Sequence, residues 1–350
     1  MTKKAVICGY YGRGNAGDEA LLAVLLQMLP SDWQVVVLTA DPQHTQKLHG
    51  SAIQVGDRYN FWQIIQILRH ADYFIWGGGS LLQDSTSWRN PLYYAGLMLL
   101  AQRMGLKTVA WAQGIGPLQS GFSQWLAQKS LSACTAISVR DSNSAQLLTT
   151  WGIESLLAPD PVWCLPSQPP KGLWDLPAPR IAVSLRSHPL LTPEKLSLLS
   201  KALVNLQRAT SAYILLVPFQ PAQDLAIAQV LHHALPNCSA IWIEENPQLL
   251  KGVFRGVEMA ITMRLHGLIM ALGAGCRCFA ISYDPKVRSV MQDLQVAGWD
   301  LPSLPEEASQ MTQAWLEVYA NAEPLSDMQL QSLSDRAGLH QQVIAQASKI

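Results

Sequence analysis

Short apolar runs alternate with longer amphipathic stretches from one end of the chain to the other. Runs of strand length cover residues 5–9, 34–39, 73–76, 108–112 and 136–139, with helical periodicity between them over stretches such as 19–29 and 91–104. The second half repeats the arrangement at residues 181–185, 212–217, 240–243, 259–263 and 278–282. Near-continuous apolar strands separated by helices predict parallel sheets covered by helices on both faces, so the expected class is α/β. Residues 326–347 read as one closing helix.

A passage rich in proline divides the two halves. Pro159, Pro161, Pro166, Pro169, Pro170, Pro177 and Pro179 fit neither helix interiors nor central strands, so this stretch reads as a connection. The expected organisation is a first Rossmann-like domain over 1–165, a linker over 166–179, a second Rossmann-like domain over 180–322, and a terminal helix over 323–350, with a ligand cleft between the domains. A chain of 350 residues, 49% of them hydrophobic, supports two such cores.

Charge narrows the ligand classes. Lys+Arg and Asp+Glu both number 25, which leaves no global basic field for nucleic acid or anionic lipid. Any anion site must therefore be local. The first apolar run is broken by Gly9 and is too short for a signal peptide, and no segment has the apolar length of a membrane helix, so a cytoplasmic protein is expected. The six cysteines lack zinc-ligand spacing and read as reduced core residues; no metal or redox cofactor is expected.

Thr262-Met263-Arg264-Leu265-His266-Gly267 places an arginine and a histidine where an apolar strand, read over 256–263, becomes a helix, read over 268–272. Side chains and free helix amides converge at such a turn, a common anion site, although a plain helix cap with a surface arginine has the same signature. Other strand ends carry similar chemistry. Gly77-Gly78-Gly79-Ser80 with Gln83 offers exposed amides and a hydroxyl, and Gln113-Gly114-Ile115-Gly116-Pro117 makes another tight turn. Arg140-Asp141 and Arg186 add cations on the same carboxyl edge, where parallel sheets bind ligands.

Gly12-Arg13-Gly14-Asn15-Ala16-Gly17 fits the dinucleotide fingerprint, with Asp41 at roughly the place of a ribose-binding acid. Asp18 and Glu19 open the next helix, however, where carboxylates would repel a pyrophosphate. The competing reading has Asn15 and Asp18 bonding neutral sugar hydroxyls. Of twelve tryptophans, Trp88 and Trp111 stand nearest this edge as candidate stacking platforms for a sugar.

Together these motifs resemble the polysaccharide pyruvyl transferase family, in particular its bacterial cell-surface members. The resemblance is carried by Gly9-Tyr10-Tyr11-Gly12 with Asn15, Gly17, Asp18 and Glu19, by residues 77–84 and 113–117, by Val139-Arg140-Asp141, by Pro159-Asp160-Pro161, and by Arg264-Leu265-His266-Gly267. It implies two Rossmann-like domains in a GT-B-type arrangement, phosphoenolpyruvate as donor, and a sugar of an envelope polysaccharide or lipid-linked precursor as acceptor. Peripheral membrane association is compatible with that role. Arg140 and Arg264, with Arg186, would bind the donor, and His266 would be the acid. Asn15, Asp18, Gly78, Gly79, Ser80, Gln83, Gln113 and Asp160 fall to the acceptor or loop side. Some members use a histidine of the first domain, and no histidine lies between His70 and His188 here.

The chemistry of the residues agrees with that donor. Planar guanidinium forks match a phosphate and a carboxylate geometrically. Two other classes fit the same pattern: a nucleotide-sugar glycosyltransferase, and a non-catalytic anion- or sugar-binding module.

Overall fold

The computed structural model describes residues 2–84 and 87–349. The chain forms two compact units: residues 1–13, 18–165 and 332–350 make the first, and residues 14–17 with 166–331 make the second.

The first unit runs β1 (Lys4–Cys8), α1 (Ala16–Met28), β2 (Gln34–Thr39), α2 (Pro42–His49), β3 (Gln54–Asp57), α3 (Phe61–Arg69), β4 (Tyr73–Trp76), α4 (Arg89–Arg103), β5 (Lys107–Gln113), α5 (Gly121–Ser132), β6 (Ala136–Val139), α6 (Ser142–Thr150) and β7 (Leu156–Leu157). Its seven strands are parallel in the order β3-β2-β1-β4-β5-β6-β7. One core lies between the sheet and α3 to α6, built from Val6, Phe74, Trp76, Ile64, Leu68, Met98, Leu131 and Leu148 among others. Four consecutive residues of β1, Ala5 to Cys8, lose all contact with water because helices cover both faces, which is why the strands read as unbroken apolar runs.

The second unit contains β8 (Arg180–Ser184), α7 (Pro193–Thr210), β9 (Tyr213–Leu216), α8 (Pro221–Ala234), β10 (Ser239–Ile241), α9 (Pro247–Phe254), β11 (Met259–Thr262), α10 (Leu265–Leu272), β12 (Arg277–Ser282), α11 (Pro285–Asp293), β13 (Gly298–Asp300) and α12 (Ala308–Asn321). Its six parallel strands are ordered β10-β9-β8-β11-β12-β13. Strand order reverses between β1 and β4 in the first sheet and between β8 and β11 in the second. These are the topological switch points at which doubly wound sheets open a crevice.

Three strands, β3, β7 and β13, are absent from the sequence-based reading. Each is a sheet edge of two to four residues, half covered, so no continuous apolar run announces it. The single expected closing helix is two, α13 (Asp327–Gly338) and α14 (His340–Lys349), divided at Gly338-Leu339. Glycine weakens a helix interior. The break turns His340 into the protein, and α14 packs on β5 and β6. All six cysteines are free thiols, and burial pushes Cys8 up to about 11 and Cys134 and Cys276 up to about 12, out of the nucleophilic range.

Candidate functional site

In the second unit, Ser184 of β8 pairs with Thr262 of β11 at the switch point, and Arg186 and Arg264 each stand two residues beyond that pair. The Thr262 hydroxyl accepts from Arg264 N at 3.1 Å and donates to Arg264 O at 3.3 Å, which fixes the turn into α10. The helix begins at Leu265, three residues earlier than the apolar pattern suggests, so Arg264 is its cap position and His266 lies in its first turn. A β-carbon on Gly267 would lie 2.7 Å from Thr262 Oγ1 and 3.3 Å from the Phe219 ring, so the missing side chain lets this turn seat on the strand end.

Arg264 is buried rather than a surface arginine. Its Nη2 donates to both carboxylate oxygens of Asp224, at 2.6 and 2.7 Å, in the first turn of α8, while Asp224 Oδ2 also accepts from Gln220 N at 2.9 Å. Arg264 Nε is buried without a hydrogen-bond partner among the described residues, as is Arg186 Nε. Arg186 Nη1 donates to Tyr283 Oη at 2.7 Å and its guanidinium lies 5.0 Å from that ring. His188 stacks obliquely on the same ring at 5.0 Å; burial and the Arg186 guanidinium hold its imidazole below the ordinary range, against a smaller pull from Asp284. Residues 14–17 complete this unit: Ala16 N donates to Phe219 O at 2.9 Å, Asn15 Oδ1 accepts from Gly17 N at 3.1 Å, and Gly17 abuts the ring of His266.

In the first unit, Arg140 follows β6 and pairs with Asp160, not with its neighbour Asp141. Nη1 donates to Asp160 Oδ2 at 2.5 Å and Nη2 to Ser80 Oγ at 3.3 Å, with both charged side chains buried. Asp141 instead caps α6 through Ser144 N at 2.8 Å. The fold thus brings Arg140, Ser80 and Asp160 together. Gln83 and Asp18 are half-buried, and Asp18 Oδ1 lies 3.2 Å from the place a β-carbon on Gly79 would take.

Several expectations for this edge are corrected. Gly77, Gly78 and Gly79 do not expose their amides; they are buried, and side chains there would meet Leu25, Leu21 and Trp111, so these glycines serve close packing of α1 on the strand end. Gln113 is fully buried and donates its side-chain amide to Trp111 O at 2.8 Å. Trp111 has no exposed surface and offers no stacking face, whereas Trp88 is 64% exposed. The dinucleotide fingerprint fails chemically: Gly12 N already donates to Glu19 Oε1 at 2.8 Å, and Asp41 caps α2 through His44 N. A pyrophosphate would find the amide taken by a carboxylate.

Sequence reasoning missed Asp224, Tyr283, Arg58 and His340. An acid after Pro221 looks like ordinary helix capping, and nothing local ties it to a residue 40 positions away. Arg58 is buried, donates from Nη1 to Gly9 O at 2.9 Å and stacks 4.7 Å from the Tyr93 ring. His340 donates from Nε2 to Pro159 O at 2.9 Å, beside the turn that carries Asp160, and burial pushes its imidazole down to about 4.

Two Rossmann-like domains with polar groups gathered at the carboxyl ends of parallel strands define a GT-B-type protein. Solved structures of that fold include UDP-GlcNAc 2-epimerase from Methanocaldococcus jannaschii, with 10% identity over 98% of this chain and 99% of that one and a TM-score of 0.67. The UDP-GlcNAc 2-epimerase of Neisseria meningitidis bound to UDP-GlcNAc gives 9% identity over 99% of each chain and a TM-score of 0.65. MurG of Acinetobacter baumannii gives 12% identity over 99% of this chain and all of that one, with a TM-score of 0.54. Such low identity establishes the fold alone. The chain itself belongs to the polysaccharide pyruvyl transferase family, which it matches over residues 15–285, and is a transferase of that family. Among curated proteins, none is significantly similar to it in sequence.

Proposed function

We propose that this protein transfers pyruvate from phosphoenolpyruvate to a sugar of a cell-envelope polysaccharide or its precursor, forming a cyclic pyruvate ketal and releasing phosphate. The observation that carries the reading is that Arg186 and Arg264 each stand two residues beyond the paired Ser184 and Thr262 at the switch point of the second sheet, each with a buried Nε–H that no described residue accepts from. Unsatisfied buried donors on charged groups are costly and call for an acceptor. A donor bearing a phosphate and a carboxylate supplies one to each arginine.

His266, in the first turn of the helix that Arg264 caps, protonates the methylene carbon of the enol phosphate. The adjacent carbon becomes an oxocarbenium ion, and a sugar hydroxyl adds to it and loses its proton. Cleavage of the carbon–oxygen bond releases phosphate and regenerates a cation, to which a second hydroxyl of the same sugar adds. The products are the ketal and inorganic phosphate; of the two protons lost by the hydroxyls, one restores the acid and the other leaves on the phosphate. Arg140, held by Asp160, is assigned to an anionic substrate group by the same guanidinium chemistry.

The test is incubation with phosphoenolpyruvate and candidate glycan precursors, following phosphate release and the mass added to the glycan. Release of a nucleotide from a sugar nucleotide, with no phosphate from phosphoenolpyruvate, would instead make the protein a glycosyltransferase.

A further inference from the structure

Charge is unevenly spread over the first unit. Residues 85–140 contain no Asp or Glu yet carry Arg89, Arg103, Lys107, Lys129 and Arg140, and residues 58–71 contain none yet carry Arg58 and Arg69, in a chain whose opposite charges balance. These segments supply α3, α4 and α5, which lie on one face of the first sheet and share one core with it. Their outward sides show Phe61, Trp62, Leu92, Phe122 and Trp125, each between 43% and 74% exposed. Three of the four strongly exposed tryptophans among the described residues, Trp62, Trp88 and Trp125, are here.

The layout along the helices is regular. In α3 the aromatics occupy the first turn and in α5 the first five residues, and in all three helices a cation stands in the last turn: Arg69, Arg103 and Lys129. Helices that follow parallel strands start at the carboxyl edge of the sheet. The apolar end of this face therefore lies at the edge that carries Ser80 and Arg140. An open groove of about 550 Å³ between α3 and α4 adds Tyr59, Tyr93 and Leu100 to the apolar surface, with Arg103 at its margin.

We propose that the α3-α4-α5 face of the first unit docks on an anionic lipid bilayer. The tryptophan and phenylalanine rings enter the headgroup region, and Arg69, Arg89, Arg103 and Lys129 meet lipid phosphates. Aromatic rings with exposed cations are the chemistry of the membrane interface. The scarcity of carboxylates, with Asp84 at the start of α5 taken up by Gln119 N and Ser120 N, selects this occupant: a uniformly anionic plane repels acids, whereas a protein partner of mixed charge needs acids opposite its own cations. The inference rests on the proposed function in one respect, since an envelope acceptor carried on lipid is presented at such a surface.

Co-sedimentation with vesicles tests it. The protein is expected to pellet with vesicles of equal parts phosphatidylglycerol and phosphatidylcholine, to stay in solution with phosphatidylcholine alone, and to be released by salt. A combined Arg69→Glu, Arg89→Glu and Lys129→Glu variant, and separately a combined Phe61→Ser, Trp62→Ser and Trp125→Ser variant, should each lower the bound fraction by at least about tenfold. Both should keep phosphate release from phosphoenolpyruvate with a water-soluble acceptor, so a failure of the transfer chemistry is read separately from a failure of docking. Absence of binding to the mixed vesicles, or binding by both variants equal to that of the unmodified protein, overturns the proposal. So does concentration-dependent self-association that the aromatic variant abolishes, which would give the face to a second copy.

Discussion

The ring of His266 fills the space that a side chain at Gly17 would need; a β-carbon there would lie 2.8 Å from the His266 Cγ and closer still to Nδ1. Gly17 is the second residue of α1, where alanine suits the backbone better than glycine, so the cost of a methyl group falls on the histidine. Gly17→Ala should therefore leave the helix intact and displace the ring, lowering turnover by about 10- to 100-fold, the range for roughly 1–3 kcal/mol of overpacking at one contact. In a His266→Ala background the same change should do little further. Additive losses in the two backgrounds would show that Gly17 acts by another route.

If His266 delivers the proton, His266→Gln should remove most turnover and spare donor binding. Phosphoenolpyruvate should raise the melting temperature of both proteins by similar amounts, as any ligand of the native state does. Turnover within a few-fold of the unmodified enzyme would sink the acid role, and loss of the thermal shift alone would make His266 a ligand rather than an acid.

Arg264 and Asp224 form a buried pair whose carboxylate is shared by two donors. Removing Asp224 strands a buried charge, so Asp224→Ala should lower unfolding stability in urea by roughly 3–5 kcal/mol, and adding Arg264→Met should recover part of the loss. Arg264→Lys should keep the charge but lose the fork, with kcat/KM falling about 10- to 100-fold for hydrogen bonds of roughly 1.5–3 kcal/mol. Near-normal kinetics for this variant would reduce the pair to a structural role.

His340 gives a pH signature. Its imidazole is pushed from 6.5 to about 4 in the folded protein by burial, outweighing the Pro159 carbonyl and Asp160 that favour the charged form, while Arg140 adds to the lowering. The unfolded chain takes up the proton first as pH falls. The stability this group contributes is whole above about pH 6.5, declines between 6.5 and 4, and is gone below. A shift of that size corresponds to roughly 3 kcal/mol. His340→Gln can still donate to Pro159 O, and its unfolding free energy should fall less steeply over that interval. Parallel acid limbs for the two proteins would contradict the assignment.

How much of this was legible beforehand follows from the range over which each signal acts. Central strands announce themselves because helices bury both of their faces, so 73–76 and 259–261 are apolar throughout. The edge strands β3, β7 and β13 lack that cover and that signal. Arg140, Arg186, Arg264 and His266 could be picked out because a strand, a turn and a helix start follow one another in the chain, and the two sheets put all four at carboxyl ends. Their partners could not. Asp224 reaches Arg264 across 40 positions and Asp160 reaches Arg140 across 20, pairings that come from strand order and side-chain packing rather than from neighbouring residues. The glycine loops were misjudged for the same reason. Gly77 to Gly79 have the composition of an open turn, and only the proximity of Leu21, Leu25 and Trp111 makes them packing residues. Local periodicity fixes which segments form strands and helices, while the environment of a polar side chain depends on which distant segments the fold sets against it.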